Sequence, residues 1–278
     1  MNRLKSVLQK SILIFLGCSV LTACNDAPKS SSEAKDSPAA TSVLHYTVVK
    51  THPHDTNAFT EGLQMYDGKL YESTGSPKEL PQTESIVGEV DLSSGKIQTK
   101  VELDRDQYFG EGIVFLKDKL YQLTYLSKKG FVYDARTFKQ LGTFSFPSKE
   151  GWGLTTDGTY LIMSDGTQNL TYLDPTTFTV VKVLTVTDEQ GAVINLNELE
   201  YVKGYIYANV YTTATVVKIN PQTGQVMGKM DLSSLQQDAR TKYPQALEMN
   251  GIAFDSSSGN WYVTGKLWST IYEIKVTP

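Results

Sequence analysis

The sequence predicts an all-β fold: a five-bladed β-propeller of four-stranded antiparallel blades. Three observations carry that reading. Five segments open in the same way, as Glu61-Gly62-Leu63, Glu111-Gly112-Ile113, Trp152-Gly153-Leu154, Asn197-Glu198-Leu199 and Asn250-Gly251-Ile252. The first and last openings, at positions 61 and 250, set a mean spacing of about 47 residues. Repeats of roughly 40–50 residues built of short strands mark a propeller, with one blade per repeat around a central channel. From Leu44 onward, short runs rich in Val, Ile, Thr, Tyr and Phe alternate with Gly, Asp, Asn and Ser, as strands alternate with turns. The opening residue of each blade is expected to face the channel.

Ahead of the repeats the chain reads as a leader and a tether. Residues 1–23 carry Arg3, Lys5 and Lys10 with no acid, then an apolar run over 12–20, then Leu21-Thr22-Ala23 before Cys24. This is the layout of a secretory signal peptide, and the apolar run is shorter than the ~20 residues a membrane-spanning helix needs. Leu-Thr-Ala-Cys is similar to the lipobox of bacterial lipoproteins, which implies that Cys24 is acylated and becomes the mature N-terminus. Cys18 leaves with the leader, so Cys24 remains as a lone thiol without a disulfide partner. The rest of residues 24–42 is rich in Ser, Ala, Pro and charge and reads as a disordered tether with an r.m.s. reach of about 20–25 Å. The expectation is an exported lipoprotein, held on a membrane by its lipid and facing the periplasm. Asn25 after the cysteine points to outer-membrane sorting in a Gram-negative cell.

Residues 43–278 are read as the propeller. In the first blade, strands are expected over 62–66, 69–73, 86–92 and 97–103, with turns at Asp67-Gly68 and Ser94-Gly95. The second blade repeats this over 112–116, 120–125, 130–133 and 141–146. The third covers 153–164, 170–173 and 180–186, its first hairpin turning at Asp157-Gly158, and the fourth covers 199–210, 216–219 and 226–232. The fifth supplies only 251–254, 261–264 and 271–276, one strand short, while 44–50 is a spare strand ahead of the first blade. Pairing the spare strand beside the last one would close the ring and cover an exposed sheet edge. The best helical pattern lies over 235–247.

Loss of the leader leaves 23 basic against 30 acidic residues, a net charge near −7. That balance excludes the basic stripe nucleic-acid binding requires, and a monomer is expected. Glu61 and Glu111 open adjacent blades and should share one confined space, where close like charges raise one pKa and suit a proton-carrying group. The same pair could instead bridge channel water or a cation, although no loop carries the spaced oxygen ligands of a calcium site. No metal is expected: the three histidines, His45, His52 and His54, cluster at the entry to the first blade with no second ligand group, and they read as a hydrogen-bonded loop. No Gly-x-Ser-x-Gly elbow marks a serine hydrolase.

Across about residues 48–275 the chain resembles the plant and bacterial glutaminyl-peptide cyclotransferases, the glutamine cyclotransferase family. The resemblance rests on His54-Asp55 with Ala58-Phe59-Thr60, Tyr71-Glu72-Ser73-Thr74-Gly75, Tyr108-Phe109-Gly110-Glu111-Gly112 and Gly151-Trp152-Gly153-Leu154 with Thr156-Asp157-Gly158. It continues through Leu196-Asn197-Glu198-Leu199-Glu200-Tyr201, Ala208-Asn209, Asn250-Gly251-Ile252-Ala253 and Thr264-Gly265-Lys266-Leu267-Trp268. It implies a five-bladed enzyme that closes the N-terminal glutamine of a peptide onto its own amine, releasing ammonia and needing no cofactor. It further implies Glu111 as the proton shuttle, with Asn197 and Lys266 as polar contacts to the reacting amide. Read alone, Lys266 is an ordinary solvated lysine after a strand.

Trp152 is expected to wall the site or simply to pack the channel, and Asn250 to contact substrate on its position alone. Three positions depart from the family pattern: Glu61 stands where glutamine is expected, and Tyr125 and Tyr211 where tryptophans are usual. Both tyrosines lie fourteen positions beyond their blade openings, which predicts matching places on the second strands of neighbouring blades. Glu61 would either attract the substrate's α-ammonium or hold it protonated against attack. The competing reading is a catalytically silent propeller that binds peptides or partner proteins of the cell envelope.

Overall fold

The structure, a computed structural model, describes residues 41–277; the leader, the lipobox and the tether through residue 40 lie outside them. The described chain is an all-β ring of five antiparallel sheets. The first blade is Thr60–Tyr66, Lys69–Thr74, Ile86–Val90 and Ile97–Glu102. The second is Gly110–Leu116, Lys119–Thr124, Lys129–Asp134 and Gln140–Ser145, and the third is Leu154–Thr156, Leu161–Met163, Asn169–Leu173 and Val180–Thr185. The fourth is Leu196–Val202, Tyr205–Val210, Thr215–Ile219 and Val226–Asp231. The fifth is Met249–Phe254, Trp261–Gly265 and Thr270–Thr277, with His45–Pro53 paired antiparallel outside the last. Each first strand packs beside the first strand of the next blade, and the fifth returns to the first.

Five apolar layers, one at each blade interface, hold the ring together. Ile113 and Phe115 pack with Tyr71 and Val87 between blades one and two, and Leu154 and Leu161 with Val114 and Leu123 between two and three. Leu199 and Ile206 meet Ile162 and Leu170 between three and four. Between five and one, Ala253 and Ile271 meet Leu63 and Leu70. The layer between four and five also takes Leu235 and Ala239, which lie four apart on the one α-helix among the described residues, Ser233–Lys242. Side chains four apart share a helix face, so this short helix needs only one buried stripe. It stops well before residue 247 because Tyr243 is extended, at φ −141° and ψ 99°, as a residue preceding proline prefers to be.

Three details depart from the sequence expectation. Ser42, which composition assigns to the tether, pairs with Val43 in parallel against the outer strand of blade four. A small hairpin, Thr187–Asp188 with Gly191–Ala192, follows blade three. The hairpins joining third and fourth strands also share one turn, which glycine marks in the sequence of blades one and four but which has no glycine to mark it in blades two and three. The side chains of Asp91, Asp134, Asp174 and Asn220 each accept a backbone N–H two residues on. The turn then passes through positive φ, at Gly95 and Gly224 in blades one and four but at Phe138 (56°) and Phe178 (58°) in blades two and three. Both phenylalanines pack against the adjoining core layers, which offsets the cost of the left-handed backbone.

Candidate active site

The blade openings aim their side chains through backbone irregularity. Register shifts fall between Thr60 and Gly62, Gly110 and Ile113, Leu196 and Leu199, and Met249 and Ile252. A bulge re-aims the side chain it carries, and Glu61, Glu111, Asn197 and Asn250 are the residues inside these four. In blade three Trp152 stands just ahead of its strand, its backbone N–H donating to Ser164 at 3.1 Å. The glycines that follow let neighbouring inner strands approach backbone to backbone. A Cβ on Gly112 would lie 2.5 Å from the nitrogen of Leu154, and one on Gly153 only 2.1 Å from the carbonyl oxygen of Asn197.

The approach gathers the openings around one cavity of about 190 Å³ at the channel mouth. Glu61, Glu111, Asn197 and Lys266 supply its polar groups; Trp152, Tyr125 and Tyr211 supply aromatic wall, together with Phe59 and Phe109. Tyr125 and Tyr211 do occupy matching places, their N–H groups donating to the carbonyls of Phe109 and Asn195 at 3.1 and 2.8 Å. Their blades, two and four, are not neighbours, and each residue lies one position past its second strand. They stand on either side of Trp152, which meets Tyr211 edge-on at a centroid distance of 5.5 Å. The Trp152 indole N–H donates to Glu150 at 2.9 Å.

Lys266 is not a solvated lysine. Its side chain is 4% exposed and ion-paired with Glu61, and its ammonium sits 4.2 Å from the Phe59 ring centroid, a distance at which the ring face attracts a cation. The other oxygen of Glu61 accepts from the Asn250 amide at 3.2 Å, and that amide also donates to the Thr60 carbonyl at 3.1 Å. Asn250 is fully buried and lies outside the cavity lining; its observed contact is Glu61. Both ends of the ion pair are braced from behind. Thr60 donates to Glu72 at 2.7 Å, and His54 spans from Glu72 at 2.9 Å to the carbonyl of Trp268 at 2.8 Å. His54 faces an acceptor on each ring nitrogen; burial opposes its charge, but the Glu72 carboxylate outweighs that and raises the pKa above its usual value.

Among the described residues, Glu111 is the carboxylate at this mouth that no ion pair neutralises. It is 4% exposed, and its Oε2 has no hydrogen-bond partner. Burial pushes its pKa well above the usual carboxylate range and the charge of Glu61 pushes it further, while Lys266 pulls the other way. Glu61 is raised as well, by burial first, against the opposing pull of Lys266. The buried Oδ1 of Asn197 likewise has no partner. A carboxyl biased toward its protonated form and an open amide thus face one small, largely aromatic space beside an ion pair. Such a set can hold and move a proton and stabilise charge developing on a bound molecule.

Deeper in the channel are two carboxyls that sequence reading left without a role. Glu198 accepts from the backbone N–H groups of Leu63 (3.3 Å) and Ile252 (2.8 Å), linking blade four to blades one and five. Glu200 accepts from Phe254 at 3.2 Å, and burial raises its pKa to about 8. Phe59 and Phe109 were also missed as wall residues. Each stands two positions before a blade-opening glutamate, and the recurrence of Phe59-Thr60-Glu61-Gly62 as Phe109-Gly110-Glu111-Gly112 is the signal that marks them.

A five-bladed propeller with a buried acid and a polar, aromatic-walled pocket at its mouth defines the class. The glutamine cyclotransferase family model matches residues 18–276. The chain is 39% identical over 232 residues to a glutaminyl-peptide cyclotransferase of Arabidopsis thaliana, covering 82% of this chain and 70% of that one. It superposes on the crystal structure of Myxococcus xanthus glutaminyl cyclase with a TM-score of 0.77 and 32% identity, covering 85% of this chain and 98% of that one. The chain belongs to the glutamine cyclotransferase family.

Proposed function

We propose that this chain converts the N-terminal glutamine of peptides into pyroglutamate, releasing ammonia. Family membership and the two named relatives support the activity. The observation that carries the assignment of roles is Glu111, buried with an unpartnered oxygen beside Asn197 and the Glu61–Lys266 pair. The substrate's neutral α-amine attacks its own γ-amide carbon, the amine's N–H passes to one carboxyl oxygen of Glu111, and the proton on the other passes to the departing amide nitrogen. The C–N bond of the ring forms as the bond to ammonia breaks, and Glu111 ends as it began. Lys266 and the amide of Asn197 face the developing oxyanion. The aromatic wall of Trp152, Tyr125 and Tyr211 folds the flexible side chain toward the amine and excludes water, which converts a floppy cyclisation into a positioned one. Both oxygens of Glu61 are occupied, one by Lys266 and one by Asn250, so its role in this reading is to fix Lys266.

Purified protein incubated with a Gln-initiated peptide is expected to give a product lighter by one ammonia, with ammonia appearing in step, far faster than the spontaneous reaction. Saturable binding of the peptide with no rate above that background would favour the silent-propeller reading instead.

We further propose that the enzyme works as a lipoprotein anchored through Cys24, on the strength of the Leu21-Thr22-Ala23-Cys24 sequence behind a charged and apolar leader. Cys24→Ser should move the protein from the membrane to the soluble fraction on fractionation of cells. Unchanged membrane association would count against the anchor.

A further inference from the structure

We infer that the peptide chain beyond the N-terminal glutamine runs into a groove between blades one and two, and that this groove selects an apolar side chain on the substrate's second residue. The inference rests on the cyclase reading above. Phe109 and Tyr125 line the catalytic cavity and also line a second cavity of about 250 Å³. Their ring centroids are 5.9 Å apart, so one half-buried aromatic partition joins the two spaces. A cavity of about 190 Å³ takes the terminal residue, and whatever follows it must leave. Elsewhere along the wall, Trp152 packs against Tyr211 and Lys266 lies over Phe59, so those side chains are engaged with one another.

The groove is built for an apolar occupant. Pro77, Tyr108 and Leu126 continue its wall beyond the shared rings, and Leu126 is 64% exposed, a large apolar side chain beside the catalytic mouth. Its frame is fixed in advance. The Arg105 guanidinium donates to the carbonyls of Pro81 (2.9 Å), Thr83 (3.0 Å) and Pro77 (3.4 Å). Lys129 donates to the Tyr108 hydroxyl at 3.0 Å, and the Tyr108 N–H donates to Asp104 at 2.8 Å. A wall already ordered loses little freedom when a ligand settles on it. Arg105 makes no ion pair among the described residues. With Lys78 beside it, and Asp106 as the one acid in the lining, the groove carries net positive charge that disfavours lysine or arginine on the substrate.

The test compares kcat/KM for the amidated dipeptides Gln-Leu, Gln-Gly and Gln-Lys, with glutaminamide as a reference that has nothing to place in the groove. Gln-Leu is expected to exceed Gln-Gly roughly 5–30-fold, the range for burying part of one aliphatic side chain, mainly through KM, with Gln-Lys poorest. Leu126→Ser, at an exposed position outside the catalytic lining, should narrow the Gln-Leu preference and leave glutaminamide unchanged. Equal kcat/KM for the three dipeptides overturns the groove assignment while the cyclase stands. So does a preference that survives in both Leu126→Ser and Tyr108→Ser. Absence of turnover on all four substrates overturns the cyclase reading itself.

Discussion

Glu111→Gln is expected to lower kcat by about 10²–10⁴-fold, the usual worth of a positioned proton-transfer group, while leaving peptide affinity within a few-fold. The substitution suits the site because burial and the charge of Glu61 already hold Glu111 toward its neutral form. An amide of the same shape therefore replaces a neutral acid without stranding a charge, and folding should be unaffected. What it removes is the bifunctional carboxyl: an amide nitrogen can donate but cannot accept the proton that the attacking amine gives up. Ammonia release measured beside equilibrium binding of the same Gln-initiated peptide separates the two effects. A kcat within tenfold of the parent enzyme would remove Glu111 from the chemistry and transfer the shuttle to another group or to water.

The five blade openings were legible because they answer two demands at once. A glycine must follow each opening residue wherever the next inner strand comes within 3 Å of its missing Cβ, as at Gly112 and Gly153. The bulge that the glycine permits then aims the preceding side chain at the channel. Repeat and chemistry therefore occupy the same few positions, which is why Glu61, Glu111, Trp152 and Asn197 all line the cavity. Lys266 and Glu61 are 205 positions apart, and no local pattern announces a pair made by joining the last blade to the first. Glu198 fills the position that glycine holds in the other openings and sends its carboxyl to the backbone of two other blades. In the hairpins, Gly95 and Gly224 announce their turns, whereas Phe138 and Phe178 hold the same left-handed conformation without that signature. Those two are kept there by packing, which is a tertiary effect.

Glu61→Gln restores the residue that the family resemblance leads one to expect, and its consequence should appear in the pH–rate profile. In the proposed reaction Glu111 works protonated, so activity falls as pH rises through its pKa and the alkaline limb reports that group. The acid limb reports deprotonation of the substrate's α-amine, ordinarily near ~7.7–8.0. Because it belongs to the substrate, it serves as the internal reference. Burial is the main cause of the raised Glu111 pKa, the charge of Glu61 adds to it, and Lys266 opposes both. Replacing Glu61 by glutamine deletes one raising contribution and also strips Lys266 of its counterion, leaving the lowering contribution less compensated. The two changes act in the same sense, so the alkaline limb moves to lower pH while the acid limb stays in place. A limb that keeps its position while the amplitude falls would mean that Glu61 acts only by holding Lys266 in place. Movement to higher pH would mean that Lys266 leaves the site once unpaired. The cost in stability is a separate readout: an unpartnered buried cation destabilises by roughly 3–5 kcal/mol. The 4.2 Å contact of Lys266 with Phe59 and the freedom of Glu111 to ionise beside it both reduce that cost. A charge that adds to the effect of burial on Glu111 would thus be exchanged for a neutral amide that lets Glu111 become the counterion of Lys266, and the shift of the limb measures how far that exchange proceeds.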